Sequence, residues 1–153
     1  MQAIELKVPP PVVTVFLPVV MWGIPRVTPT FDMPTLLRVG VAVAIALTGC
    51  SCSISGAIAF RRARTTVNPM KPESSSSLVR SGIYGVTRNP MYVGLLLLLV
   101  AWAVFLSTPA TFLGPVTFFL FIGRFQIVPE ERVLSRLFGT RYSEYTRSVR
   151  RWL

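Results

Sequence analysis

Two short clusters hold most of the residues in this sequence that could do chemistry. The first is Arg88-Asn89-Pro90 with Tyr92 behind it; the second is Glu130-Glu131 after Pro129, with Tyr142 and Tyr145 further on. Asn followed by Pro suits a helix start, Asn at the N-cap and Pro at the first helical position. The same start, with Arg88 beside it, offers free backbone N–H groups and positive charge to an anionic ligand group. Pro129 followed by two glutamates reads as the acidic first turn of a new helix. Arg124 lies seven residues before Glu131, two turns along one face if the helix continues through Pro129. Whether Arg124 pairs with those carboxylates for structure or for a ligand stays open at this level.

What is missing narrows the chemistry. The chain has no histidine, so the commonest general base is absent. With only two cysteines, Cys50 and Cys52, a zinc site built by the protein is not expected, and no metal is. Both cysteines fall in an apolar stretch where Gly49, Ser53 and Gly56, with Ser51 and Ser55, form a small-residue stripe at helical spacing. Such a stripe lets another helix approach closely, and packing is preferred over a redox role.

The elements that must position these clusters are apolar. In 153 residues, 52% are hydrophobic and 14% charged, against roughly 25% charged in an average soluble domain. This argues against a water-soluble globule and against disorder. Val39 to Phe60 is 22 residues without a charge, and Met91 to Gly123 is 33. The first is long enough to cross a hydrocarbon core of about 30 Å. The second is too long for one crossing and breaks at Ser107-Thr108-Pro109, so two spans joined by a tight turn fit it, the later one running to Val128. Val8 to Ile24 is a further apolar segment whose helix should start near Pro9, Pro10 and Pro11 and be kinked at Pro18. The expected fold is all-α: one polytopic membrane domain of about four transmembrane helices, with amphipathic cytoplasmic helices at the carboxy terminus. Residues 1–60 form a two-span scaffold, residues 61–153 the half that carries the chemistry.

Charge distribution orients this arrangement. The net charge is +10. Arg61, Arg62, Arg64, Lys71, Arg80 and Arg88 fall in one connection, and Arg132, Arg136, Arg141, Arg147, Arg150 and Arg151 in the tail. Arg26, Arg38 and Asp32 fall on the other side. By the positive-inside rule both termini are cytoplasmic. Orientation and anionic lipid then explain the excess, and no nucleic-acid partner is expected. The connection 61–90, with Pro69, Pro72 and Ser74 to Ser77, is a long loop of the kind that carries function. In the tail, Val133, Leu134, Leu137 and Phe138 stop at Gly139, and Tyr142, Tyr145, Val149 and Trp152 follow among arginines. That spacing suits helices lying on the membrane surface.

Taken in order, the short motifs resemble one family. Thr65-Thr66-Val67-Asn68-Pro69, Gly82-Ile83-Tyr84, Arg88-Asn89-Pro90-Met91-Tyr92-Val93-Gly94, an apolar hairpin, Glu130-Glu131, Leu134, Phe138-Gly139, Tyr142 and Tyr145 look like the isoprenylcysteine carboxyl methyltransferases and their phospholipid methyltransferase relatives. The resemblance covers about residues 60 to 152. It implies a membrane-embedded helical enzyme whose carboxy-terminal half encloses S-adenosylmethionine while a lipophilic acceptor enters from the bilayer. It further implies cofactor contacts from Tyr84, Arg88, Asn89, Tyr92, Glu130, Glu131, Tyr142 and Tyr145, with Arg124 and Glu131 as catalytic residues and Arg124 between cofactor and acceptor. The chain departs from the family at Asn89, where relatives frequently have His. Asn donates and accepts hydrogen bonds but shuttles no proton at neutral pH.

That departure tilts the expectation toward carboxylate or thiolate acceptors. Methyl transfer from a sulfonium to an ionised nucleophile is an in-line displacement that needs no base, whereas an amine acceptor would need one from Glu130, Glu131 or the tyrosines. The alternatives are phospholipid amine methylation, a lipid reductase using NADPH, and a non-catalytic membrane adaptor. The reductase lacks a Gly-x-Gly-x-x-Gly motif, and the adaptor leaves both polar clusters without a reason.

Overall fold

The computed structural model describes residues 5–63 and 77–153, and every regular element in them is helical. The motif from Thr65 to Pro69, together with Arg64, Lys71, Pro72, Glu73 and Ser74 to Ser76, lies outside the described residues. Helix α1 spans Pro10–Gly23, α2 Thr35–Arg62, α3 Pro90–Leu106, α4 Leu113–Ile122, α5 Val128–Phe138 and α6 Thr140–Ser148. Among the described residues, two helical stretches are long and apolar enough to cross a membrane: α2, with 28 residues, and the continuous run Pro109–Phe138, with 30.

Helix α3 sits at the centre, with α1, α2 and α4 packed around it. Its contact with α2 is set by absent side chains. A Cβ on Gly49 would meet the Gly94 carbonyl oxygen at 2.8 Å, and one on Gly56 would meet Met91 Cγ at 2.8 Å. A Cβ on Gly94 would collide with Ser53 Oγ and the backbone of Gly49. The small-residue stripe therefore packs helix against helix, and Cys50 and Cys52 are free thiols beside it. On the other flank Met21, Leu99, Ala103, Phe118, Ile122 and Ile127 form the core. Outward faces are apolar as well: Val15, Val19, Leu36, Leu47, Ile54, Leu113 and Leu120 are all exposed. Helices that are apolar on their outward faces belong in lipid, and these exposed apolar faces favour association with a membrane.

The hairpin breaks where the sequence indicates. Ser107 closes α3 in the left-handed region at φ 51°, and Pro109–Phe112 forms a short turn leading into α4. Helix α1 starts at the prolines and continues past Pro18, whose carbonyl accepts Trp102 Nε1–H at 3.2 Å.

Pro129, Glu130 and Glu131 fall in the first turn of α5 as expected, but that helix is not a separate one: α4 and α5 join through a wide π turn over Gly123–Ile127. Proline has no N–H to give the carbonyl four residues back and its ring crowds that carbonyl. The wide turn relieves the crowding, and the freed Phe125 carbonyl accepts the Leu6 N–H at 3.1 Å instead. The amino-terminal segment is thus tied to the long helix at its π turn. Gly139 then joins α5 to α6 at φ 51°, ψ −123°, backbone that glycine adopts without a Cβ penalty.

Candidate functional site

The site forms where the loop before α3 meets α5, α6 and the carboxy-terminal strap that follows them. Glu131 is its hub. Arg88 Nη1 approaches Glu131 Oε1 at 3.1 Å, with side-chain exposures of 13% and 19%. Arg151 grips the same carboxylate with both arms, Nε to Oε1 at 3.0 Å and Nη2 to Oε2 at 2.6 Å. A carboxylate this enclosed needs cationic partners, and the chain brings one from the connection before α3 and one from the carboxy-terminal strap.

Asn89 joins the same meeting point through its side chain. Its Nδ2 donates to the Arg151 carbonyl at 2.8 Å, and its backbone N–H donates to Thr87 Oγ1 at 3.2 Å. The Arg88 N–H donates to the Arg150 carbonyl at 3.0 Å, where Thr87 and Arg150 pair as an isolated parallel bridge. Pro90 then opens α3, so the Asn-Pro pair does start a helix, while the Asn side chain reaches the strap rather than capping that helix.

Glu130 points into a second, buried group. Its Oε1 accepts Tyr92 Oη–H at 2.6 Å and Gln126 Nε2–H at 2.9 Å. Three tyrosines close the remaining side. Tyr84, Tyr142 and Tyr145 are buried, and Tyr145 Oη–H donates to the Tyr84 carbonyl at 2.7 Å. Burial, then Tyr145 and Glu130, hold the Tyr84 phenol well above its usual range. Burial and Glu131 push Tyr142 up to about 12 against the opposing pull of Arg88. Burial likewise raises Tyr145, although Arg88 opposes it. These phenols are neutral at physiological pH and serve as donors and walls.

Of the eight residues expected around a cofactor, Arg88, Asn89 and Glu131 share one network, Tyr92 and Glu130 a second, and Tyr84 and Tyr145 a third, with Tyr142 beside Arg88 and Glu131. Arg124 does not pair with Glu130 or Glu131. Its Nη1 lies 3.5 Å from Glu5, which Arg132 also holds at 3.1 Å, and both arginines are 47% exposed. The π turn explains this, since a wider turn between Arg124 and Glu131 rotates the two off the face that α-helical spacing would give them.

Four participants were not singled out from the sequence: Arg151, Gln126, Thr87 and Trp152. Gln126 had a legible signal, four residues before Glu130 on one helix. Arg151 and Trp152 read only as tail charge and as part of a membrane-surface helix face, with nothing to point at this site. The strap reads as tail charge, and only the fold brings Arg151 to Glu131 and Trp152 against Phe119, with ring centroids 4.7 Å apart.

Comparison with known proteins gives the chain's relatives. The family model described as Phospholipid methyltransferase matches residues 37–141. An uncharacterized protein of Haemophilus influenzae is 46% identical over 63 residues, 41% of this chain and all of that protein. Protein-S-isoprenylcysteine O-methyltransferase B of Arabidopsis thaliana is 32% identical over 91 residues, 58% of this chain and 45% of the relative. Its counterpart A is 38% identical over 80 residues, 50% of this chain and 39% of the relative. The aligned region thus spans less than half the length of either plant relative. No solved structure matches the chain.

Proposed function

This chain belongs to the phospholipid methyltransferase family, membrane methyltransferases of the isoprenylcysteine and phospholipid type, and on that premise we propose that it moves a methyl group from S-adenosylmethionine to a lipophilic acceptor. The preferred acceptor is a carboxylate or thiolate of an isoprenoid-like or lipid molecule. The carrying observation is that Arg88 and Asn89, from the internal connection, meet Glu131 and the strap within hydrogen-bond distance.

The residues present fit such a cofactor. Arg88 Nε is buried without an acceptor, a donor suited to the cofactor's carboxylate. Glu130 and Glu131 suit its cationic groups, and Tyr84, Tyr92 and Tyr142 supply buried aromatic walls. When bound, S-adenosylmethionine supplies a methyl group on a positively charged sulfur that leaves as a neutral thioether. The chain's part is to align the reactants and keep water out, and alignment alone is worth about 7–11 kcal/mol. Because the three tyrosines outside the spans stay neutral, they offer no phenolate base, which favours an acceptor that is already ionised. We assign Arg124 a steering role for an anionic acceptor at the rim. We also assign four spans with both termini cytoplasmic, α1 and α3 completing the pair of longer helices, and entry of the acceptor from the bilayer between their apolar faces.

The family description and the two plant names favour different acceptors, a phospholipid amine and an isoprenylcysteine carboxylate. Glu130, buried beneath Tyr92 and Gln126, is the proton acceptor an amine would require. One experiment separates the readings. Protein in detergent is incubated with methyl-labelled S-adenosylmethionine and extracted membrane lipids. A labelled product whose label is released by mild alkali is a methyl ester and supports a carboxylate acceptor; an alkali-stable label on a headgroup supports the amine. No transfer to any lipid, with Glu131→Ala as the background control, would overturn the proposal.

A further inference from the structure

We propose that Arg151 is a positioning residue: it holds Glu131 so that Arg88 keeps one guanidinium N–H free for the carboxylate of the methyl donor. The inference rests on the reading of the site given above and deepens it. Glu131 Oε2 is taken by Arg151 Nη2 at 2.6 Å, while Oε1 is shared between Arg151 Nε at 3.0 Å and Arg88 Nη1 at 3.1 Å. Arg88 therefore meets Glu131 through one nitrogen, and its Nε, buried in the same place, has no acceptor.

An arginine beside a single carboxylate ordinarily closes on it with two parallel hydrogen bonds. Here the second oxygen is already committed to Arg151. Without the Arg151 guanidinium, Glu131 loses the fork that keeps it at the Nη1 side of Arg88 and can shift to the Nε–Nη2 edge, where one carboxylate takes two parallel hydrogen bonds; that shift satisfies the orphaned Nε and removes the free donor. An unsatisfied buried N–H is costly in a folded protein, so its persistence needs a competing constraint, and the Arg151 fork supplies one. The fork is specific to arginine, because a lysine ammonium keeps the charge but not the planar pair of donors.

The strap does not depend on this side chain. The Arg150 and Arg151 carbonyls accept from the Arg88 N–H at 3.0 Å and from Asn89 Nδ2 at 2.8 Å, and Trp152 packs on Phe119. A variant at position 151 keeps all three, so it loses the guanidinium and leaves the strap docked.

The test uses the full chain in detergent and two probes, S-adenosylmethionine and its decarboxylated analogue, each titrated by calorimetry. Wild type binds both. Arg151→Ala weakens S-adenosylmethionine by roughly tenfold or more, the loss of one charge-assisted hydrogen bond, and leaves the affinity for the decarboxylated probe essentially unchanged. Arg151→Lys recovers only part of the loss. Equal weakening of both probes, unchanged affinity for S-adenosylmethionine, or full recovery by lysine would each overturn the assignment. No binding of S-adenosylmethionine by wild type would overturn the donor site itself and this inference with it, a result distinguishable from the other three.

Discussion

Replacing Glu131 by glutamine tests how far the hub holds the site together. The substitution keeps the shape and removes the charge that faces Arg88 at 3.1 Å and Arg151 at 2.6 Å. Exposure sets the scale. With Arg88 at 13% and Glu131 at 19%, that contact is close to a buried pair, for which losing one partner costs about 3–5 kcal/mol. Arg151 is 42% exposed, so its share falls in the surface class, below about 1 kcal/mol. Glu131 is short of full burial and glutamine retains one acceptor oxygen, so the lower end applies, about 3 kcal/mol in all. At roughly 2–4 °C per kcal/mol for a chain of this size, the unfolding midpoint should fall by about 6–12 °C. Circular dichroism melts in detergent read this directly, with Glu131→Asp as a control that keeps the charge. An unchanged midpoint in Glu131→Gln would show that water already screens the pair and that Glu131 is no hub.

Other consequences follow from single features of the fold. Gly94→Ala places a methyl group against Ser53 and Gly49, so α2 and α3 must separate; overpacking of this kind costs about 1–3 kcal/mol, read as a lowered melt, while Gly23→Ala, where nothing lies within 4 Å, should be near neutral. Pro129→Ala restores an N–H that competes with Leu6 for the Phe125 carbonyl, so amide exchange at the amino-terminal segment should quicken; unchanged exchange would refute the link between that proline and the segment. Raised phenol pKa values make stability fall with rising pH, because from pH 10 upward the unfolded chain releases protons that the folded one keeps until about 12 at Tyr142. Phenolate absorbance of the folded protein should therefore lag behind that of the denatured chain across this window, and coincident titrations would mean the tyrosines are open to water.

Much of this was readable from residue types, and the remainder has a physical reason for being hidden. Apolar run length and the Ser107-Thr108-Pro109 break gave the hairpin, since both act locally on the backbone. The stripe at Gly49, Ser53 and Gly56 announced a close helix contact because a missing Cβ has one main use there. Arg88, Asn89 and Glu131 were found through motif order, and the fold brings them together. Arg124 was misread because i to i+7 spacing presumes an uninterrupted α-helix, and a π turn leaves no mark in the sequence beyond the proline that follows it. Arg151 was invisible for another reason. Its position depends on a strap pairing 62 residues away with Asn89, and no local periodicity encodes such a contact.

A double-mutant cycle on donor affinity reaches the central idea, that the connection before α3 and the carboxy-terminal segment build one cage for a charged methyl donor. S-adenosylmethionine is titrated into wild type, Arg88→Ala, Asn89→Ala and the two double variants that combine each with Glu131→Ala, alongside Glu131→Ala itself. The account predicts one saturable site, weakened by every single variant, with strongly non-additive losses in both doubles because the three side chains act as a unit. Additive losses, or binding that survives in Glu131→Ala, would contradict it.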